Sequence, residues 1–320
     1  MKLGLFTVLY ADYSLSQIIE LVESLGIHSL EIGVENYPKT SQLDEFTTDA
    51  EIGTLLEKLE RHNIEISALS CQGNPLHPQA DIAEHHHQGW RTTTAWARRL
   101  GVKHINVFSG CPGTPGGGSH PNWVTTAWPS EYRELLQWQW DEKVIPYWTK
   151  EVEFADKLGI TQIAYEMHPG FVVYNPETLL RLRHAIGDNI GANLDPSHLF
   201  WQGIDPSATV RLLASENALF HVHAKDVLID AQQIAVNGVL DTHSYADAKN
   251  RRWNFCTIGY GHSPGVWAEF IQTLRRFGYD GVLSIEHEDL LASRNEGLRH
   301  AVNFLENLLW TEPAPEAWWL

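Results

Sequence analysis

Short apolar runs alternate with amphipathic helical runs along nearly the whole chain, and this alternation leaves few folds open. Strand-like runs are expected at Lys2–Leu9, Ser29–Gly33, Ile64–Leu69, His104–Phe108, Gln162–Glu166, Ile190–Leu194, Leu219–Val227 and Gly281–Ile285. Helical periodicity falls between and after them, at Ser14–Leu25, Ala50–His62, Ile82–Leu100, Glu131–Leu158, Pro176–Ile186, Pro206–Ala214, Ser263–Phe277 and Asn295–Leu309. Glycine stands at the helix-to-strand joints Gly26, Gly101, Gly159 and Gly278, where a left-handed residue ends a helix. Strict strand–helix alternation repeated this often predicts an α/β fold, a (β/α)₈ barrel over residues 1–310, rather than an open sheet. The length of 320 residues suits one such domain with insertions, and no shift in composition marks a second. Two connections are too long to be simple joints, Ser109–Ser130 after the fourth strand and Leu228–Tyr260 after the seventh. Both are expected to cover the barrel mouth. The tail, residues 311–320, has left the repeat and reads as an arm on its own barrel or on a neighbouring subunit of a homo-oligomer.

The net charge of −17 gives no basic excess to release counterions from a phosphate backbone, so a nucleic-acid partner is not expected. Three cysteines, Cys71, Cys111 and Cys256, are too few and scattered for a disulfide framework or a cysteine zinc site. No apolar run is long enough for a membrane span, and the first residues lack a signal-peptide pattern. The expectation is a soluble cytoplasmic protein with no membrane partner. Among the 17 histidines, His85, His86 and His87 read as polar side chains on the solvent side of a helix.

The last four strands share an ending. Glu166, Asp195, His223 and Glu286 stand where each run gives way to a loop, the end of a barrel at which sites are built. A strand-end carboxylate alone is more simply a helix cap, as Asp195 before Pro196 could be. On four consecutive strands, one divalent metal ion is the better common cause. Three carboxylates and an imidazole suit Mn²⁺ first, with Mg²⁺ or Co²⁺ as options, and leave two octahedral positions that two oxygens of a sugar can fill. His198, three residues after Asp195, is placed to reach a substrate, and His168 stands close behind Glu166. Lys225 and Glu288 are further pocket candidates, as are Asn74 and His77 in the loop after the third strand. Trp123 and Trp128 read equally as rings that stack on a ligand or as packing. His221 points the same way as His223 but one step deeper, and reads as a core histidine. The Gly-rich stretch near Gly116 lacks the spacing of a phosphate loop.

At these motifs the chain resembles the xylose-isomerase-like barrel superfamily of sugar phosphate isomerases and epimerases. In its ketose 3-epimerases a Glu, an Asp followed three residues later by His, a His and a Glu arise from the last four strands. Here these are matched by Glu166, Asp195 with His198, His223 and Glu286. The resemblance implies a metal-dependent isomerase or epimerase acting on a small sugar by proton transfer through a metal-bound enediolate. It further implies that Glu166 and Glu286 are both ligands and proton-exchanging groups, and that His198 contacts the substrate. One position departs: the family's substrate-binding Arg six residues after the strand-seven His is Ile229 here. The same metal set would serve elimination from a 3-oxo-glycoside, or an inosose isomerase or dehydratase. A non-catalytic carbohydrate-binding barrel is the remaining alternative, against which the pair of Glu argues.

Overall fold

The computed structural model of the protein describes residues 1–37, 41–310, 312, 316, 317 and 319. In chain order its strands are β1 (Lys2–Phe6), β2 (Ser29–Gly33), β3 (Glu65–Cys71), β4 (His104–Val107), β5 (Gln162–Glu166), β6 (Ile190–Leu194), β7 (Leu219–Ala224), β8 (Asp226–Ile229), β9 (Trp253–Cys256) and β10 (Val282–Ile285). All but β8 and β9 close into a parallel barrel, in which β10 lies between β7 and β1. Every residue of β2, β4, β6 and β10 is buried, as expected for a parallel sheet with side chains on one face and helices on the other. Leu5, Leu30, Leu69, Ile105, Ile163, Ile190, Val222 and Leu283 join the helix residues Ile18, Leu55, Trp148 and Leu298 in one continuous core.

The helices begin where the sequence offers caps. Ser14 and Thr48 each form a reciprocal capping box, with Gln17 and Glu51 respectively, and Asn175 caps the helix Pro176–Ile186 through Thr178. Gly101 ends the helix Ala80–Leu100 in the left-handed conformation, φ 71°, which a side chain would resist.

Four departures from the expected elements have physical causes. β1 stops at Phe6 and the chain turns into a 3₁₀ segment, Thr7–Tyr10, that buries Thr7 and Tyr10. The long helix expected at Glu131–Leu158 is two helices, Glu131–Trp138 and Ile145–Lys157, joined by a π-helical stretch, Gln139–Val144. Pro146 has no N–H for the carbonyl a turn earlier, and a wider turn accommodates its ring. The strand expected through Val227 divides at Lys225, because β8 leaves the barrel to pair antiparallel with β9. Along β9, Trp253 and Phe255 are buried and alternate with partly exposed Asn254 and Cys256, a two-residue period hidden in a polar segment. Those rings and Val227 pack with Trp201 in a satellite cluster. Finally, Ser109–Ser130, expected over the barrel mouth, contributes no residue to the lining of the large cavity there. Gln139 Nε2 donates to the carbonyls of Pro112, Gly113 and Asn122, which holds the loop down against the π-helical stretch. The tail expected as an arm lies largely outside the described residues.

Among the described residues, no helix is long and apolar enough to cross a membrane.

Candidate metal centre

Glu166 ends β5, Asp195 follows β6, His223 is the next-to-last residue of β7 and Glu286 follows β10. Barrel closure brings their side chains together, with one potential ligand atom from each lying within 4.8 Å of every other. All four are buried or nearly so, Glu286 being the most open at 10% side-chain exposure. Asp195 does cap the short helix Pro196–Phe200, with Oδ1 accepting from Ser197 N at 2.8 Å, but that occupies only one oxygen. Its Oδ2 is buried without a hydrogen bond, 3.4 Å from His198 Nε2, and Glu286 Oε2 is likewise buried without one. An unsatisfied buried acceptor costs about 1–3 kcal/mol, and two in one cluster fit a cation-binding role. The donor set fits an oxygen-preferring divalent ion.

The surroundings set the charges. Burial raises Glu166 to about 7 against the pull of His223, and burial also raises Asp195. Burial would do the same to Glu286, but Lys225 and His223 overcome it and hold that carboxyl below the ordinary range. Lys225 Nζ is 3.2 Å from Glu286 Oε1, 2.8 Å from Glu288 Oε2 and 4.0 Å from Asp195 Oδ2. Burial disfavours the ammonium, yet these carboxylates hold its pKa well above normal. His198 donates from Nε2 to Glu166 Oε1 at 3.1 Å, and its ring centroid lies 4.1 Å from that of His168. Burial lowers His198 to about 4 and His168 to about 3, so both are neutral at pH 7.

The cluster opens into a cavity of about 1460 Å³. Glu166, His168, Lys225, Glu286 and Glu288 line it, as do Tyr37, Gln72 and Phe108. The insertion after β7 supplies one whole wall, including Tyr245, Arg251, Phe255 and Tyr260. Three residues expected at a substrate stand elsewhere. The Asn74 side chain is spent on backbone, accepting from Cys111 N at 2.9 Å and Leu76 N and donating to Cys111 O. His77 accepts from Gln79 N. Trp123 packs edge-on against Tyr174 beside a separate cavity of about 360 Å³ that Trp140 and Arg181 also line. None of the three lines the large cavity, and Trp128 is 81% exposed. Two of the histidine triplet do more than face solvent: His86 Nδ1 accepts from Asn74 N at 2.8 Å, and His87 Nδ1 lies 3.0 Å from Tyr147 Oη.

His221 is a core residue, as its depth in the strand indicated: it is buried, with Nδ1 3.1 Å from Asn193 Oδ1. Two neighbours of the cluster were not anticipated. Gln72, just past β3, donates from Nε2 to Glu166 Oε2. Glu31, in the middle of β2, is fully buried beneath His223 and accepts from its Nε2. A lone carboxylate inside an otherwise apolar strand was the one available signal.

Comparison with known proteins agrees with this architecture. The chain is 38% identical over 314 residues to the uncharacterized protein YfiH of Bacillus subtilis strain 168, covering 97% of this chain and 99% of that one. Its fold is similar to the probable 3-DHS dehydratase AsbF, involved in petrobactin synthesis, of Bacillus anthracis. The TM-score is 0.69 and the identity 18%, over 96% of this chain and 99% of that one. It is similar also to the IOLI protein solved with a binding zinc atom, with a TM-score of 0.65, 17% identity, and coverage of 96% and 98%. The xylose isomerase-like TIM barrel family model matches residues 19–308, and the chain belongs to that family.

Proposed function

We propose that the protein is a divalent-metal-dependent isomerase or epimerase of a small sugar or sugar derivative. In this reading Glu166, Asp195, His223 and Glu286 hold the metal, and Glu166 and Glu286 exchange the protons. The observation that carries it is the convergence of these four groups, with two oxygens lacking hydrogen bonds, where Glu166 and Glu286 line a large cavity. A bound divalent ion would supply Lewis-acid polarisation of a carbonyl oxygen.

The protein's own groups do the rest. Glu286, with Lys225 Nζ 3.2 Å from its Oε1, is the base for a proton on the carbon beside that carbonyl. Glu166, on the other side of the cluster, returns a proton. β6 and β7 stand between their strands, so the two carboxyl groups approach a bound sugar from different directions. Gln72 and His198 orient Glu166, while His168 and Tyr37 offer polar atoms to sugar hydroxyls. Phe108 and Phe255 supply apolar wall that excludes water.

The cavity volume favours a second reading. At about 1460 Å³ it exceeds the roughly 300–1,000 Å³ usual for a drug-sized ligand, which leaves room for an aglycone and hence for elimination from a 3-oxo-glycoside. One experiment addresses both. Manganese-loaded protein is incubated in deuterium oxide with a panel of ketoses, inososes and 3-oxo-glycosides, and deuterium uptake and products are read. An epimerised or isomerised ketose supports the first reading and a released aglycone the second. No uptake by any member, with metal bound, would refute both.

A further inference from the structure

Glu31 is a buried charged group that the reaction leaves unused. With His221 and His223 it has the composition of a second metal site, and ligand atoms of the three lie within 4.8 Å of one another. Its hydrogen bonds argue otherwise. Oε1 accepts from Ser70 Oγ, from Asn106 Nδ2 at 2.8 Å and from His223 Nε2 at 3.0 Å. Oε2 accepts from Ser284 Oγ at 2.6 Å and from His223 Nε2 at 3.0 Å. A carboxylate has about four lone-pair sites, and four donors fill them. His221 Nε2 remains 3.9 Å away, and its Nδ1 is turned to Asn193.

The consequence falls on His223. Carboxylate oxygens only accept, so the nitrogen that faces both of them carries the proton. The opposite nitrogen, Nδ1, is 3.2 Å from Glu286 Oε2 and 3.7 Å from Glu166 Oε2, among the other candidate ligands. The imidazole is therefore held at one end by an anion anchored to β3, β4 and β10, and the ring of Phe6 lies against its face at 5.6 Å between centroids. We propose that Glu31 is a positioning residue: it fixes the orientation and tautomer of His223 so that Nδ1 is the nitrogen presented to the metal. An anion behind a ligating imidazole also raises the basicity of the ligating nitrogen. This rests on the assignment of His223 as a ligand.

Cadmium-113 provides a test that needs no turnover. In protein carrying ¹⁵N-labelled histidine and loaded with ¹¹³Cd²⁺, the metal should show one-bond coupling to a histidine nitrogen correlated with Hε1 alone, which identifies Nδ1. Loss of that signal in His223→Gln assigns it. Coupling to a nitrogen correlated with both Hδ2 and Hε1 would place the metal on Nε2 and overturn the proposal. Failure of Cd²⁺ to bind, or coupling unaffected by His223→Gln, would remove the metal assignment itself and the proposal with it. In Glu31→Gln, metal affinity should fall about 10- to 100-fold, the usual effect of losing such a partner. Affinity within twofold of the parent, in a variant with native near-ultraviolet dichroism, would overturn the proposal. If Glu31→Gln does not fold, the cadmium spectrum of the parent decides.

Discussion

The ammonium of Lys225 lies 3.2 Å from Glu286 Oε1, inside a cluster that otherwise gathers carboxylates. In the absence of metal it is, with His223, the positive charge that keeps those carboxylates together. Breaking a buried ion pair by removing one partner costs about 3–5 kcal/mol. Lys225→Met should therefore lower the stability of metal-free protein by about 3 kcal/mol. A metal ion would replace the lost charge, so the variant should bind Mn²⁺ more tightly and show a larger rise in Tm on Mn²⁺ addition. Thermal melts with chelator and with Mn²⁺ measure both effects. Equal Tm values for variant and parent in chelator would contradict this account.

Glu166 and Glu286 are separable by isotope exchange. Either Glu→Gln change keeps an oxygen ligand, so each variant should fold and bind some metal. Turnover should fall by at least about a hundredfold, the low end for loss of a general base or acid. Exchange of the carbon-bound proton on one face of the substrate should vanish in one variant, and on the other face in the other. If both variants retain exchange on both faces, the two-carboxylate assignment is wrong.

Asp226 fastens the insertion to the barrel. Its carboxylate accepts from the backbone N–H groups of Val227, Gly259, Gly261 and His262, from His262 Nδ1 at 2.7 Å and from Trp267 Nε1 at 3.2 Å. Asp226→Asn removes the charge and turns an N–H group toward these donors. A loss of about 3 kcal/mol is expected from such charge-assisted bonds, with faster protease nicking within residues 228–260. Denaturant melts and limited proteolysis check the two together. Nicking at the parental rate would show that other contacts hold the wall.

Acid should destabilise the fold through His104, at the entry of β4. Burial lowers its pKa from 6.5 to about 4, while Nε2 donates to Asn106 Oδ1 at 2.9 Å. The unfolded chain takes up this proton below about pH 6.5 and the folded chain only near pH 4. Stability from this group is therefore constant above pH 6.5 and falls as pH drops, by at most about 1.4 kcal/mol per pH unit. Between pH 6.5 and pH 5 the parent should lose about 1.5 kcal/mol more than His104→Gln. Parallel stability curves for the two would exclude His104 as the source.

The strand ends were legible because each apolar run stops on a ligand-type residue, and a parallel barrel gathers such ends at one rim. That pattern reaches Glu166, Asp195, His223 and Glu286 without knowledge of the register. Glu31 is different in kind. Its donors Ser70, Asn106, His223 and Ser284 come from four strands and meet only when β10 pairs with β1 and the barrel closes, so no local spacing records them. Asn74 and His77 follow β3 on the correct side of the barrel, yet Asn74 substitutes for backbone pairing and His77 accepts a turn N–H. Proximity in sequence to a strand end predicts the rim and not the direction of the side chain. The β8–β9 hairpin was obscured because its polar connection, which carries the short helix Ala231–Asn237, outweighs the alternation of Trp253 and Phe255.

The insertion leaves and re-enters the barrel at one spot. Asp226 pairs with Cys256 across the hairpin, and Gly261 passes so close to β8 that a Cβ there would lie 2.3 Å from the Val227 carbonyl oxygen. Everything between these points forms a panel that rests, through Trp253, on Trp201, beside the candidate ligands rather than among them. His223, only three residues before Asp226, belongs to the barrel strand and not to the panel. The stretch that lines one side of the cavity and the strand ends proposed to carry out the chemistry are thus separate parts of the chain.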